Sequence, residues 1–230
     1  MAAQKLVHEV IPVGLLQCNC SILGDTETGE AIVVDPGDEV DRILEILRRY
    51  NLKPRIIIST HTHIDHVGGL AALHEITKAP VVIHEQDMRL YQGLEVQAQW
   101  LGVPTPPRAP IDSFVKEDDA LRCGNFVARV LHTPGHTPGS ISLIIDNQNV
   151  PDSHPAHDGA SRKRAPSLLS GDTLFPGSIG RTDLWGGSHV DIIRSIREKL
   201  LLLPDETVVF PGHGGSTTIG DERESNPFLR

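Results

Sequence analysis

The sequence of 230 residues contains few cysteines, few aromatic residues and no long apolar run. Three cysteines, Cys18, Cys20 and Cys123, are too few, and odd in number, for the disulfide framework of a small secreted protein, so we expect a reducing compartment. No stretch approaches the roughly 18 consecutive apolar residues that a membrane-spanning helix requires. Residues 1–13 lack the basic and apolar segments of a signal peptide. These absences predict a cytoplasmic protein that does not cross a membrane.

Positive charge is also scarce. The chain has 21 Lys and Arg against 30 Asp and Glu, so its formal net charge is −9 with neutral histidine. Nucleic acids and anionic membranes are bound by basic surfaces, which argues against both as partners. Neither a GxxxxGK[ST] phosphate-binding loop nor a GxSxG nucleophile elbow occurs. We therefore expect a small-molecule partner. The chain shows no motif for binding a nucleotide through a phosphate loop or for catalysis by a serine triad.

The apolar pattern divides the chain into strands and helices that recur in two successive halves. Helical spacing is found at residues 38–50, 67–78, 85–101 and 190–203, and Gly93 interrupts the third of these segments. Short apolar or alternating runs predict strands at residues 5–13, 20–24, 31–34, 55–59, 81–83, 120–122, 126–132, 140–145, 167–170 and 207–210. This order predicts one α/β (α+β) domain over residues 1–230, with two packed sheets and outer helices. Residues 147–166 are polar and aperiodic and predict an extended surface loop.

Histidine is the residue in excess, with 12 in the chain. The β-branched strand that ends at Ser59 runs directly into the sequence Thr60-His-Thr-His-Ile-Asp-His66. This short segment holds four side chains that bind divalent transition metals, namely His61, His63, Asp65 and His66. Extended backbone would direct His61 and His63 to one side. The segment predicts a metal site at the exit of a buried strand.

Further ligand types follow other predicted strands. His136 lies in His-Thr-Pro-Gly-His after the strand at 126–132, Asp172 follows Ser-Gly after the strand at 167–170, and His213 lies in Pro-Gly-His after the final strand. Loops at strand ends are where rigid scaffolds carry functional groups. The complete set of candidate ligands is His61, His63, Asp65, His66, His136, Asp172 and His213.

Seven ligands are too many for one structural zinc ion, which is closed by four. They suit two metal ions that share a carboxylate and leave coordination positions for water. A water held between two such ions ionises near neutral pH. The chemistry predicted from the residues is hydrolysis by a metal-bridging hydroxide.

These motifs resemble those of the metallo-β-lactamase superfamily over residues 5–230. THTHIDH is similar to the family signature THxHxDH, and the later His136, Asp172 and His213 stand at its remaining ligand positions. The resemblance implies an αββα four-layer sandwich. It also implies metal 1 on His61, His63 and His136, metal 2 on Asp65, His66 and His213, and Asp172 between the two ions. Asp65 would in addition orient the hydroxide proton and so serve as a catalytic residue.

Within the superfamily the chain looks most like short bacterial glyoxalase II proteins, the hydroxyacylglutathione hydrolases. The stretches HTPGHTPGSISL and SGDTLFPGSIGRTD carry this resemblance. It implies hydrolysis of a small acyl thioester with two divalent ions, zinc first and iron or manganese as alternatives. Longer relatives bind glutathione through a Lys-x-Tyr pair, where this chain has Arg181-Thr182-Asp183, and Arg181 remains a candidate for a substrate carboxylate.

Two other functions remain open from the sequence. Persulfide dioxygenases, which use one iron ion, share the Gly180–Asp183 stretch and many of the ligands. A non-catalytic, metal-dependent binding module is the third possibility, and it would not need open coordination positions.

Overall fold

The structure is a computed structural model that describes residues 6–145 and 165–230. Of the predicted surface loop, residues 147–164 lie outside the described part of the chain, whereas Ala165 and Pro166 lead directly into a strand. Among the described residues, no helix has the length and apolar character needed to cross a lipid bilayer.

The first sheet contains six strands that lie in chain order. They are β1 (Leu6–Val13), β2 (Cys18–Asp25), β3 (Glu30–Val34), β4 (Lys53–Ile58), β5 (Val81–His84) and β6 (Ser113–Val115). The first three strands pair antiparallel, and β3 to β6 pair parallel. The parallel strands β3 and β5 are almost entirely buried and apolar, as is the Ile56–Ile58 end of β4, which fits strands covered on both faces. Their carboxyl ends therefore meet at one edge of the sheet.

Five helices connect these parallel strands and cover the outer face of the first sheet. They are α1 (Val40–Arg49), α2 (Ile64–Val67), α3 (Leu70–Thr77), α4 (Met88–Gln92) and α5 (Leu94–Leu101). The break between α4 and α5 falls at Gly93, as the sequence predicts. The predicted helix at 67–78 is instead divided between α2 and α3, and at the division the Gly69 amide donates to the Pro36 carbonyl at 2.9 Å. Gly68 and Gly69 permit this close approach, since a Cβ at either position would collide with the Gly37 or Pro36 carbonyl.

The second sheet also has six strands, in the order β14-β13-β10-β9-β8-β7. Its strands are β7 (Ala120–Cys123), β8 (Phe126–His132), β9 (Ile141–Ile145), β10 (Ser167–Gly171), β13 (Val208–Pro211) and β14 (Thr217–Thr218). A small hairpin of β11 (Leu174–Phe175) and β12 (Ser178–Ile179) stands apart. Among the described residues of this half, the helices are α6 (His189–Glu198) and α7 (Ile219–Ser225).

Three apolar cores separate four layers. One core lies between the sheets and contains Ile32, Ile58, Val130 and Leu143. A second packs α1, α3 and α5 on the first sheet, and a third packs α6 on the second sheet. This arrangement is the predicted αββα sandwich.

Candidate metal centre

The seven candidate ligands converge at one end of the two packed sheets. His61 and His63 follow β4, and Asp65 and His66 lie in the short helix α2. The remaining three follow strands of the second sheet: His136 after β8, Asp172 after β10 and His213 after β13. Because the parallel strands of both sheets end at this edge, residues far apart in sequence come within a few ångströms of one another.

The first group consists of His61, His63 and His136, whose ligand nitrogens all lie within 4.8 Å of one another. His136 Nε2 is 2.9 Å from His63 Nδ1 and 3.2 Å from His61 Nε2. We call this group the first trio. Its composition is the one that the family resemblance implies for metal 1.

Hydrogen bonds at the far side of two rings fix which nitrogen carries the proton. The Arg181 carbonyl lies 2.8 Å from His136 Nδ1, and a carbonyl can only accept, so His136 Nδ1 must donate. Thr60 Oγ1 donates to Asp35 Oδ2 at 2.7 Å and is left to accept from His61 Nδ1 at 3.2 Å. In the neutral rings, the Nε2 atoms of His61 and His136 therefore face each other with their lone pairs.

The second group consists of Asp65, His66 and His213, and we call it the second trio. His213 Nε2 lies 3.2 Å from Asp65 Oδ2 and 3.3 Å from His66 Nε2. The Leu16 carbonyl accepts from His213 Nδ1 at 3.0 Å, which leaves the Nε2 of neutral His213 as a lone pair directed at a carboxylate. Either a proton or a bound cation must stabilise this contact.

Asp172 lies between the two trios. Its Oδ1 is 3.6 Å from His66 Nε2, and its Oδ2 is 3.6 Å from His136 Nε2 and 3.7 Å from His213 Nε2. Oδ1 is buried and has no hydrogen-bond partner among the described residues. A buried carboxylate oxygen without a partner is costly, and a cation is the group that would satisfy it.

The electrostatics of the first trio favour uncharged imidazoles. Burial is the main reason that the pKa of His61 lies well below its usual value, and a proton on the neighbouring His66 or His136 would lower it further. Burial and His136 lower the pKa of His63 to about 3. Neutral imidazole is the form that binds metal ions, so these rings are held ready as ligands.

The second trio instead concentrates negative charge. Burial acts to raise the pKa of Asp65, but the neighbouring His66 and His213 lower it below its usual value. Burial likewise acts to lower the pKa of His213, but its hydrogen bond to Asp65 and the charge of Asp172 raise it. The second trio is thus a place where positive charge is stabilised.

Two buried carboxylates outside the trios hold their backbones in place. Asp35 Oδ1 accepts from the Thr60 amide at 2.6 Å, and its Oδ2 lies 3.1 Å from His66 Nδ1. Asp87 accepts from Gly139 N at 2.6 Å, from Thr62 N at 2.9 Å and from Thr137 Oγ1 at 2.9 Å. Asp35 therefore connects both trios, and Asp87 joins the loop that carries His61 and His63 to the loop that carries His136.

Two glycines allow the close approach of these loops. A Cβ at Gly37 would collide with the Asp65 carbonyl, and a Cβ at Gly212 would collide with Asp172 Oδ1 and approach His66 Cε1 to 2.8 Å. Both positions exclude any side chain next to a candidate ligand.

Arg181 lies next to the first trio, but its guanidinium is engaged elsewhere. Its Nε and one terminal nitrogen each donate to Asp183 at 2.8 Å, so the bidentate face is directed at that acid. The contribution of Arg181 that the structure does show is its carbonyl, which orients His136.

The donor set fits two divalent metal ions. Five imidazoles and two carboxylates form the two trios and a third group, His61, His66 and Asp172, that overlaps both. Ring nitrogens approach each other to 3.2 Å between His136 and His61 and to 3.3 Å between His66 and His213. Imidazole and carboxylate together bind zinc, iron and manganese.

Comparison with known proteins identifies the family. A profile of the metallo-beta-lactamase superfamily matches residues 13–150 and 153–213. The chain belongs to this superfamily. The hydroxyacylglutathione hydrolase GloC of Haemophilus influenzae is 37% identical over 228 residues, which cover 96% of this chain and 97% of that protein.

Solved structures agree in fold. The crystal structure of BLEG-1, a B3 metallo-beta-lactamase, matches with a TM-score of 0.82 at 36% identity and covers 97% of this chain and 99% of that one. A di-iron-bound form of TTHA1623 matches with a TM-score of 0.77 at 37% identity, covering 96% and 100% of the two chains. The predicted four-layer fold is confirmed. The chain that carries this His/Asp cluster belongs to a metallo-hydrolase superfamily.

Sequence reasoning missed the two supporting carboxylates. Asp35 ends a buried strand in the run Val-Val-Asp-Pro-Gly, and an acid in that position is a usable signal for a buried acceptor. Asp87 follows β5 in an ordinary polar turn, and its burial depends on a loop about 50 residues later. No local pattern marks it.

Proposed function

We propose that this chain is a binuclear metal-dependent hydrolase of small acyl thioesters, of the glyoxalase II (hydroxyacylglutathione hydrolase) type. The observation that carries the proposal is the pair of trios with Asp172 lying between them. The relative named hydroxyacylglutathione hydrolase, which matches over nearly the whole chain, supports the thioester assignment.

In this proposal His61, His63 and His136 hold one ion, Asp65, His66 and His213 hold the other, and Asp172 contacts both. When bound, the two ions would supply a water that ionises near neutral pH and positive charge for the substrate carbonyl. Zinc is our first choice, and iron or manganese would suit the same donors. The di-iron form of a relative makes the identity of the metal an experimental question.

The residues of the chain would supply orientation and charge. Asp65 has a lowered pKa, so it is ionised at neutral pH and can accept a hydrogen bond from the attacking water. The carbonyls of Arg181 and Leu16 hold the rings of His136 and His213 in one tautomer. A thiol of ordinary pKa, about 8.5, is a good leaving group, so a strong general acid is not needed.

The direct test is an assay of the metal-loaded protein. We expect hydrolysis of S-lactoylglutathione or of a neutral acyl thioester, together with two metal ions per chain by elemental analysis. Loaded protein that hydrolyses neither substrate would refute the proposal. Oxygen uptake with glutathione persulfide and a single iron per chain would instead establish a persulfide dioxygenase.

His61→Ala separates an enzyme from a binding module. In the proposed hydrolase this change removes metal and turnover while circular dichroism stays unchanged. A wild-type protein that binds metal and a partner but turns over no substrate would support the module. Arg181 as a substrate contact and the cytoplasmic location remain predictions.

A further inference from the structure

Two grooves border the candidate metal centre, one at Asp65 and the other at Trp185, which lies near His63. The first, about 480 Å³, borders Asp65, and we call it the apolar groove because its walls include Leu15, Leu16, Ile64, Leu101, Val103 and Pro106. The second, about 400 Å³, is lined by Trp185, by apolar residues such as Leu90 and Val96 and by one charged residue, Arg89, and we call it the Arg89 groove. Both volumes fall in the range of small-molecule sites.

One residue of the second trio lines the apolar groove. Asp65 is part of its lining. Leu16, in the turn between β1 and β2, lines the groove with its side chain and accepts from His213 through its carbonyl at 3.0 Å. A chain lying in this groove would therefore have one end beside the Asp65 carboxylate.

Both walls of the apolar groove are held in place by hydrogen bonds. On one side, the Asn19 side chain donates to the Pro211 and Gly214 carbonyls at 3.0 and 2.9 Å, which ties the β1–β2 hairpin to the His213 loop. On the other side, Arg108 donates to the Gln92 carbonyl at 2.8 Å, next to the proline-rich segment 104–107. A groove formed in advance loses little entropy when it binds a chain.

The charges of the two grooves differ. The charged residues that line the apolar groove within the described part of the chain are Asp38 and Asp65, which would repel a carboxylate. The Arg89 groove instead contains a cation, the Arg89 guanidinium, which pairs with no acid among the described residues. Trp185, which also lines the Arg89 groove, lies 6.4 Å from His63 between ring centroids, which places this groove beside the first trio.

We propose that the apolar groove binds an uncharged, aliphatic acyl chain of the thioester substrate. This inference rests on the proposed hydrolase function. The acyl chain is assigned here because biological thiol carriers are polar and often anionic, which matches the groove containing Arg89 and not the one containing Asp38. The substrate class is then an aliphatic acyl thioester longer than acetyl.

The test is a series of N-acetylcysteamine thioesters from acetyl to hexanoyl with the metal-loaded protein. We expect kcat/KM to rise about threefold for each added methylene, as partial burial of a CH₂ group gives. Leu15→Ser should reduce the hexanoyl-to-acetyl ratio of kcat/KM about tenfold, because this side chain, 84% exposed in the free protein, would be covered by the chain. Val103→Ser tests the opposite wall in the same way.

Leu202→Ser is the matched control, since Leu202 is 75% exposed and lies in the segment after α6, away from both grooves. A flat acyl series, or the same ratio in both leucine variants, would overturn the groove assignment while leaving the hydrolase intact. A series of alkyl thiols on a constant acetyl group completes the test. If kcat/KM instead depends on the length of the thiol, and Leu15→Ser abolishes that dependence, the groove assignment is also overturned. Failure to hydrolyse any thioester would refute the proposed function itself.

Discussion

Replacing Asp87 by asparagine tests whether this buried acid holds two ligand loops together. Its side chain is fully buried and accepts three hydrogen bonds, two of them from the backbone at Thr62 and Gly139 and one from the Thr137 hydroxyl. Asparagine has one carbonyl oxygen, so its amide group must face at least one of these donors. One buried N–H group then loses its acceptor.

The size of the effect follows from this geometry. A buried donor without a partner costs about 1–3 kcal/mol. Burial raises the pKa of Asp87 in spite of its three hydrogen bonds, so removing the charge relieves part of the desolvation cost. We therefore expect Asp87→Asn to lower the free energy of unfolding by about 2 kcal/mol, which corresponds to about 4–8 °C in Tm for a chain of this length.

The assay is urea unfolding of the metal-free protein, followed by a metal titration. Because Thr62 separates His61 from His63 and Thr137 follows His136, we also expect metal binding to weaken about tenfold or more. Asp191→Asn is the control, since Asp191 pairs at 3.0 Å with the exposed Arg194 and such pairs contribute less than about 1 kcal/mol. Equal midpoints for the two variants, or wild-type metal affinity in Asp87→Asn, would refute the reasoning.

Three further changes address other parts of the site and the fold. Gly212→Ala places a methyl group against Asp172 and His66, so elemental analysis should show loss of at least one bound metal ion. Thr60→Val removes the acceptor of His61 Nδ1, and titration calorimetry should show metal binding weakened about 10–100-fold. His84→Gln should reduce, by about 1–2 kcal/mol, the loss in free energy of unfolding between pH 7 and pH 4.5, as measured by urea unfolding. Burial, and then the charge of His132, lowers the pKa of His84 to about 4, so the folded state binds this proton less tightly and wild-type stability falls as the pH drops from about 6.5 towards 4.

Each change has a matched control. Gly215→Ala introduces a Cβ with no atom within 4 Å and should keep full metal content. Thr60→Ser keeps the hydroxyl and should restore affinity. His189→Gln changes an exposed histidine and should leave the acid limb of the stability profile as in wild type. Each prediction is refuted if the variant and its control variant give the same result.

Local sequence patterns predicted the elements that carry the site. Buried β-branched runs mark β3 and β4 because a strand covered on both faces must be apolar throughout. The patterns missed β6, a three-residue edge strand, and α7, which is mostly polar. They placed the end of the 190–203 helix too late, since regular helix ends at Glu198 and a 3-10 turn follows over Leu200–Leu202. Short or polar segments have too few apolar residues to show the spacing that distinguishes a helix from a strand.

The sequence by itself singled out seven candidate ligands, because ligand-type residues follow four of the apolar strands, β4, β8, β10 and β13. Only the tertiary structure decided how they are arranged. His61 and His63 meet His136, which is 73 residues away from His63, while the adjacent Asp65 and His66 meet His213, 147 residues beyond His66. The proton positions on the rings, the support from Asp35 and Asp87 and the two grooves also depend on atoms that distant strands bring together. Local spacing sets the direction of a side chain, but the packing of the two sheets sets what that side chain meets.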